Sequence, residues 1–194
     1  MRNALIVSRC GDHRHRLGVA DLRAGALVRL AARHEQPEGR RHRTGVGYTY
    51  LHTVLDDHSR LACTQALPDE TAATCAAFLR RATAWFAAHG ITLERVLTDN
   101  AWACTKSTWR LSCHELGIGP RWTRPWRPQT NGKVERFHRT LLEERAYIRP
   151  CTSDTERQAA FPDWLGWYNH HRPHTGINGQ TPASRVTNLS GQHT

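Results

Sequence analysis

Two carboxylates are placed to do chemistry. Asp99 follows the apolar run Ile91 to Leu97 and sits in Thr98-Asp99-Asn100. The end of a strand in an α/β sheet is where sites gather. Glu135 follows after 35 intervening residues, in the first turns of a long helical stretch, among Lys133, Arg136 and Arg139. Arg121, Arg124 and Arg127 precede it. Such a basic cluster suits contact with nucleic-acid phosphates, and an ordinary solvated surface is the alternative. Trp122 and Trp126 alternate with these arginines, either to stack on a base or to pack beneath the loop. Spacing alone identifies nothing: with 17 acids in 194 residues, chance supplies roughly one acid pair at any chosen separation. The surrounding elements have to carry the reading.

Those elements are legible from Gly45 onward. Val46 to Leu55, rich in β-branched and aromatic residues, ends at the turn cluster Asp56-Asp57-His58-Ser59, and Leu61 to Leu67 follows as its hairpin partner. Pro68, Asp69 and Glu70 open a helix, in which Cys75, Phe78, Leu79, Ala82, Trp85 and Phe86 form one apolar stripe up to Gly90. Ile91 to Leu97 is the next strand and Ser107 to Leu116 the next helix. A loop holding Arg121 to Pro128 leads to the helix from about Asn131 to Tyr147. A last helix, about Thr155 to His170, carries Phe161, Trp164, Leu165 and Tyr168. With one strand hidden in the vague first 44 residues, the order predicts a mixed α/β domain, a sheet with helices packed on it. Trp164, Trp167 and Tyr168 are expected in its core.

The formal charge of +10 favours a polyanionic partner, nucleic acid being the commonest. Ten of the 27 basic residues lie before Thr44, away from the acids just described. No apolar run is long enough to span a membrane, and Ala4 to Val7 is too short for a secretory signal, so a cytoplasmic protein is expected. The six Cys show no C-x-x-C spacing. His170-His171-x-x-His174 does not place its ligands on one helix face, and Pro173 interrupts it, so a histidine metal site is not expected.

Four segments, in order, carry a specific resemblance: Val54-Leu-Asp-Asp-His-Ser-Arg60, Leu97-Thr-Asp-Asn100, Arg124-Pro-Trp-Arg-Pro-Gln-Thr-Asn-Gly-Lys-Val-Glu-Arg136 and Tyr168-Asn-His-His-Arg-Pro-His174. Together they resemble the integrase catalytic core of bacterial insertion-sequence transposases, relatives of retroviral integrases. The resemblance runs from about Gly45 to Val186. It implies a ribonuclease-H-like mixed sheet flanked by helices, and an Asp-Asp-Glu triad holding two Mg²⁺ (or Mn²⁺) ions. Two such ions stabilise the attacking and leaving oxygens of a displacement at phosphorus, and hard cations take carboxylate oxygens. Water would nick the element end, and the freed 3′-hydroxyl would then attack target DNA.

Carried over by position, Asp99 is the second acid and Glu135 the third. Arg124, Arg127, Lys133, Arg136 and Arg139 are the expected DNA contacts. For the first acid, Asp21 in Gly18-Val-Ala-Asp-Leu-Arg23 is the candidate; another register aligns Gly25 to Ala31 with the opening strand and puts Ala31 at that place. Asp56 and Asp57 are expected to build a turn, and Arg172, Pro173 and His174 to be structural. The organisation implied is a poorly matching segment 1–44 that holds the first strand, a catalytic core 45–150, and a completing helix and tail 151–194. Two functions follow. One is an active, nucleoid-associated DNA transposase that engages element ends and target DNA as a homo-oligomer. The other is a truncated, inactive remnant that binds DNA non-specifically.

Overall fold

The computed structural model describes residues 3–7, 30–33, 46–99, 101–123, 132–146 and 154–187. Its strands are β1 (Asn3–Val7), β2 (Leu30–Arg33), β3 (Val46–Asp56), β4 (Ala62–Leu67), β5 (Arg95–Thr98) and β6 (Gly119–Trp122). The helices are α1 (Ala72–Ala88), α2 (Trp102–Thr105), α3 (Ser107–Glu115), α4 (Gly132–Leu141), α5 (Asp154–His170) and α6 (Pro182–Thr187). A π-helical turn, Leu142–Ala146, extends α4. The expected hairpin is present: β3 and β4 pair antiparallel from Tyr50↔Leu67 to Leu55↔Ala62.

β1 lies between β3 and β5, antiparallel to the first (Leu5↔Leu55) and parallel to the second (Leu5↔Leu97). β6 adds to the far side of β5 in parallel. The segment before Thr44 therefore gives two strands where one was expected. β2 pairs with the start of β3, Ala31 opposite Tyr48, so Ala31 is not on the strand beside β5. Asn-Ala-Leu-Ile-Val takes that place instead. Its β-branched and apolar residues suit a strand with neighbours on both edges.

Alternation along β3 and β5 sorts the core into two layers. Val54 and Val96 join Phe78, Leu79, Ala82 and Phe86 of α1 and Trp109 and Cys113 of α3. On the other side, Leu55 shares a cluster with Val134 and Phe137 of α4 and Tyr168 of α5, with Leu97 packed against it. Leu51 continues that layer with Leu141, Leu142 and Phe161. Each such fully buried large side chain is worth about 1.5–3 kcal/mol, which makes these clusters the main support of the sheet.

Several boundaries differ from expectation for local reasons. Helix α1 starts after Thr71, whose hydroxyl accepts the Thr74 N–H (3.3 Å); Asp69 Oδ1 accepts the Thr71 N–H (2.9 Å), so Asp69 and Glu70 precede the first turn. Ile91 and Leu93 are buried in irregular backbone before the short β5. Arg121 lies on β6, not in a loop, because β5 offers its free edge there (Leu97↔Arg121). Gly90 and Gly117 end α1 and α3 with φ of +72° and +67°, a left-handed turn that glycine adopts without strain.

Candidate functional site

Asp99 ends β5. Its Oδ1 accepts the Ala101 N–H (3.1 Å), a local bond that turns the chain from the strand into α2. Thr98, just before it, is fully buried and its carbonyl accepts the Thr123 N–H beyond β6 (2.9 Å). The carboxylate is thus carried on backbone held from both sides.

Glu135 is half-buried in the first turn of α4. The helix buries Val134, Phe137, His138 and Leu141, an i, i+3, i+4, i+7 stripe, and exposes Arg136 and Arg139. Glu135 stands at the edge between the two. The stripe is pinned to the sheet by polar contacts as well: Thr53 Oγ1 lies 3.1 Å from His138 Nε2 and 3.1 Å from Thr64 Oγ1. Because Val134 and Leu97 belong to one apolar cluster, the helix carrying Glu135 and the strand leading to Asp99 meet on one side of the sheet. Sequence spacing could not show this.

The start of α4 is fixed by the β3–β4 turn. Asp56 is fully buried, and its Oδ2 accepts from Ser59 N–H (2.8 Å) and Ser59 Oγ–H (2.6 Å). Asp57 pairs with the Lys133 ammonium, which also donates to the Asp57 carbonyl (3.3 Å). Arg185 of α6 donates to the His58 carbonyl (3.2 Å). Asp56 and Asp57 therefore build the turn, and Lys133 is engaged by it.

The Tyr168 to His174 motif ties the C-terminal helix to the same face. Buried Asn169 donates to the Ala62 carbonyl and accepts the Ala62 N–H, both at 2.9 Å, an amide capping the start of β4. Arg172 grips Glu144 of the π-helical turn through Nε and Nη2 (2.9 and 2.7 Å to Oε1). His174 packs edge-on against Tyr168 (4.7 Å between ring centroids). Burial, then the Arg172 charge, lowers the His174 pKa to about 4. Tyr168 is shifted upward by burial. Trp167 is 43% exposed, against the expectation that it lies in the core, because it falls on the outer side of α5; Trp164 is half-buried and Tyr168 buried.

Of the remaining candidates, Arg121 is exposed on β6. Trp122 is anchored by its indole N–H to the Cys104 carbonyl (3.3 Å), which favours packing over base stacking for this residue. Asp21, Arg124, Trp126 and Arg127 lie outside the described residues. Among the described residues no group of three His, Cys, Asp or Glu could hold a metal ion. Asp99 and Glu135 offer hard oxygen donors of the type Mg²⁺ takes, but the described residues do not supply the donor set of a two-ion centre. No helix among the described residues is long and apolar enough to cross a membrane. One surface that sequence reading passed over is α2 and the start of α3, where Trp102 is exposed beside Lys106; its only signal was an aromatic residue three places after Asp99.

Two family models, each described as integrase core domain, match residues 34–128 and 116–182. The first range contains Asp99, the second Glu135, and neither contains Asp21. The Transposon Tf2-3 polyprotein of Schizosaccharomyces pombe is 30% identical over 99 residues, 49% of this chain and 7% of the polyprotein. This chain therefore corresponds to a small part of that relative's length. The catalytic core domain of BIV integrase is 28% identical, with a TM-score of 0.57, over 72% of this chain and 86% of that one. The HTLV-2 integrase catalytic core domain in complex with magnesium, in a dimeric form, shares the fold at 19% identity and a TM-score of 0.54, over 72% of this chain and 85% of that one. Sheet order and structural likeness agree on a ribonuclease-H-like fold, and the matched ranges make the chain similar to integrase catalytic cores from residue 34 to residue 182.

Proposed function

We propose that this chain acts on DNA as the core of an insertion-sequence transposase, with Asp99 and Glu135 as acids at the phosphodiester. The observation that carries this reading is the shared cluster of Leu97 and Val134, which sets the two acid-bearing elements on one side of the sheet. A divalent cation held by these two carboxylates, Mg²⁺ or Mn²⁺, would supply Lewis-acid charge at phosphorus. The chain's own cations have a separate task. Arg136 and Arg139 on the exposed side of α4, with Arg124 and Arg127 before it, hold phosphates beside Glu135. Lys133 adds to them only by leaving Asp57, so its first task is to set the helix start. Element ends and target DNA are the substrates under this reading, a homo-oligomer is the working form, and a bacterial nucleoid is the place of work.

A second reading is favoured by β1. The strand between β3 and β5 is Asn3–Val7, which contains no Asp or Glu. If Asp21 does not complete the acid set, the chain binds DNA without cutting it, as an inactive remnant.

Strand transfer with labelled oligonucleotides in Mg²⁺ or Mn²⁺ separates the two. Product from the wild type that is lost in Glu135→Gln, Asp99→Asn and Asp21→Asn supports the active core with Asp21 as third acid. DNA binding with no product in either metal supports the remnant. Absence of DNA binding sinks both.

A further inference from the structure

An exposed tryptophan in a folded domain needs a reason when a cation is already seated on it. Trp102 opens α2, three residues after Asp99, and is 63% exposed. The Lys106 ammonium lies 3.9 Å from the centroid of its ring. That contact orients the indole and covers part of one face, leaving most of the ring in water. Four residues further, Arg110 is exposed on α3 and its guanidinium stands 5.2 Å from the Trp122 ring. The Arg110 N–H bonds the Lys106 carbonyl (3.2 Å), so both cations sit on one continuous piece of backbone. Arg121, exposed on β6, lies one residue from Trp122.

Trp102 on α2, Lys106 in the extended link between the helices and Arg110 on α3 thus follow one another along the chain, beginning three residues after the candidate acid. Their acidic neighbours do not cancel their charge. Glu115, on the same helix as Arg110, is engaged by Arg80 of α1 (2.7 Å). Asp99 uses its Oδ1 to accept the Ala101 N–H, and under the reading above its charge is met by a divalent cation. The two tryptophans differ in use. Trp122 is half-buried and tied to the Cys104 carbonyl, whereas among the described residues the Trp102 indole has no hydrogen-bonded anchor of that kind.

We infer that Trp102, set by Lys106, is a stacking platform for an unpaired DNA base next to Asp99, with Lys106 and Arg110 meeting the flanking phosphates. The inference rests on the DNA-binding reading above and adds the state of the DNA that this surface takes: single-stranded at the point of contact. An aromatic face beside cations is the chemistry that holds single strands without reading their sequence. A blunt duplex keeps its bases stacked on each other and offers the indole little.

The test uses the full chain with two DNA probes, a blunt duplex and the same duplex bearing a short single-stranded overhang that contains 2-aminopurine. For the overhang probe, Trp102→Ala weakens binding about tenfold and Trp102→Phe much less, since loss of one base-stacking contact has effects of this order. Affinity for the blunt duplex stays within about twofold in both variants. The wild type quenches 2-aminopurine fluorescence by stacking, Trp102→Ala does not, and Lys106→Ala quenches partially. Equal overhang affinity in wild type and Trp102→Ala, or equal losses on both probes, overturns the platform while leaving DNA binding intact. A wild type that binds neither probe overturns the platform and the DNA-binding reading together.

Discussion

The two faces of the sheet are built from different materials. The face covered by α1 and α3 is mainly apolar: Val54, Phe78, Leu79, Phe86, Val96, Trp109 and Cys113 fill it. The face covered by α4 and α5 also has an apolar floor, yet polar links run through it, with His138 on Thr53, Asn169 on Ala62, and Arg172 on Glu144. Apolar packing tolerates small slips, whereas a hydrogen bond between named atoms is lost when either partner moves by about an ångström. The first face holds the sheet together. The second positions α4, and with it Glu135, relative to Asp99.

The sharpest way to break the first face is Phe78→Ala. Phe78 is 1% exposed among α1, β3 and β4 residues, and its removal leaves a cavity. A loss of about 3–5 kcal/mol is expected, measured as a shift of the urea midpoint at unchanged slope. DNA affinity per folded molecule stays the same. A variant that remains fully folded but fails to bind DNA would show that the apolar face also serves the site.

Asn169→Ala acts on the other face. It leaves the N–H and C=O of Ala62 without their amide partner at the start of β4, at a cost of about 2–3 kcal/mol. Under the proposed active core, an effect on DNA strand transfer beyond the loss of folded protein is expected, because α5 and α4 share the cluster under Glu135. Equal activity per folded molecule would reduce Asn169 to a stability residue and weaken the contrast between the faces.

The difference between the faces also explains what the sequence could tell. The apolar stripe of α1 was readable from spacing, since Phe78, Leu79, Ala82 and Phe86 bury one helix side whatever they meet. The elements bearing Asp99 and Glu135 were readable too, as a strand end and a basic amphipathic helix. Their meeting was not, because it depends on the register Leu5↔Leu55 and Leu5↔Leu97, pairings between residues far apart in the chain. β1 was the least visible element. Five residues of Asn-Ala-Leu-Ile-Val have no turn chemistry around them that marks a strand, and their neighbours alone make them one. The role of Tyr168 to His174 as a clamp on β4 and the π-helical turn was likewise hidden, since Asn169 and Ala62 are 107 residues apart.

A smaller effect is expected at the Arg172–Glu144 pair. Both side chains are partly exposed (24% and 31%), so the ion pair is discounted for screening, and Arg172→Ala costs about 1 kcal/mol. Arg172→Lys recovers part of that, because an ammonium cannot reproduce the two-nitrogen grip on the carboxylate. Thermal midpoints in the order wild type, Lys, Ala would support a geometric role, and Lys equal to wild type would leave only charge.

The finest test is the pH dependence of the same corner. His174 has its pKa lowered from 6.5 to about 4 by burial first and by the Arg172 charge second, with Arg60 adding to the effect; the backbone of Tyr168 and the Glu144 carboxylate oppose it. The unfolded chain therefore takes up a proton at His174 while the folded chain does not. Stability on this account is complete above about pH 6.5 and falls as the pH drops towards 4, below which the folded form is protonated too. Because His174 is only half-buried, the loss is discounted to about 1 kcal/mol. His174→Gln should flatten the stability profile between pH 6.5 and 4 without changing its slope below that window. His52 sharpens the comparison: it lies on the apolar face against Phe78 and Cys75, and burial also lowers its pKa. Stability measured against pH in the two single variants assigns the acid sensitivity to one face or the other. A profile unchanged in His174→Gln but flattened when His52 is replaced would move that sensitivity from the face of the candidate site to the apolar one.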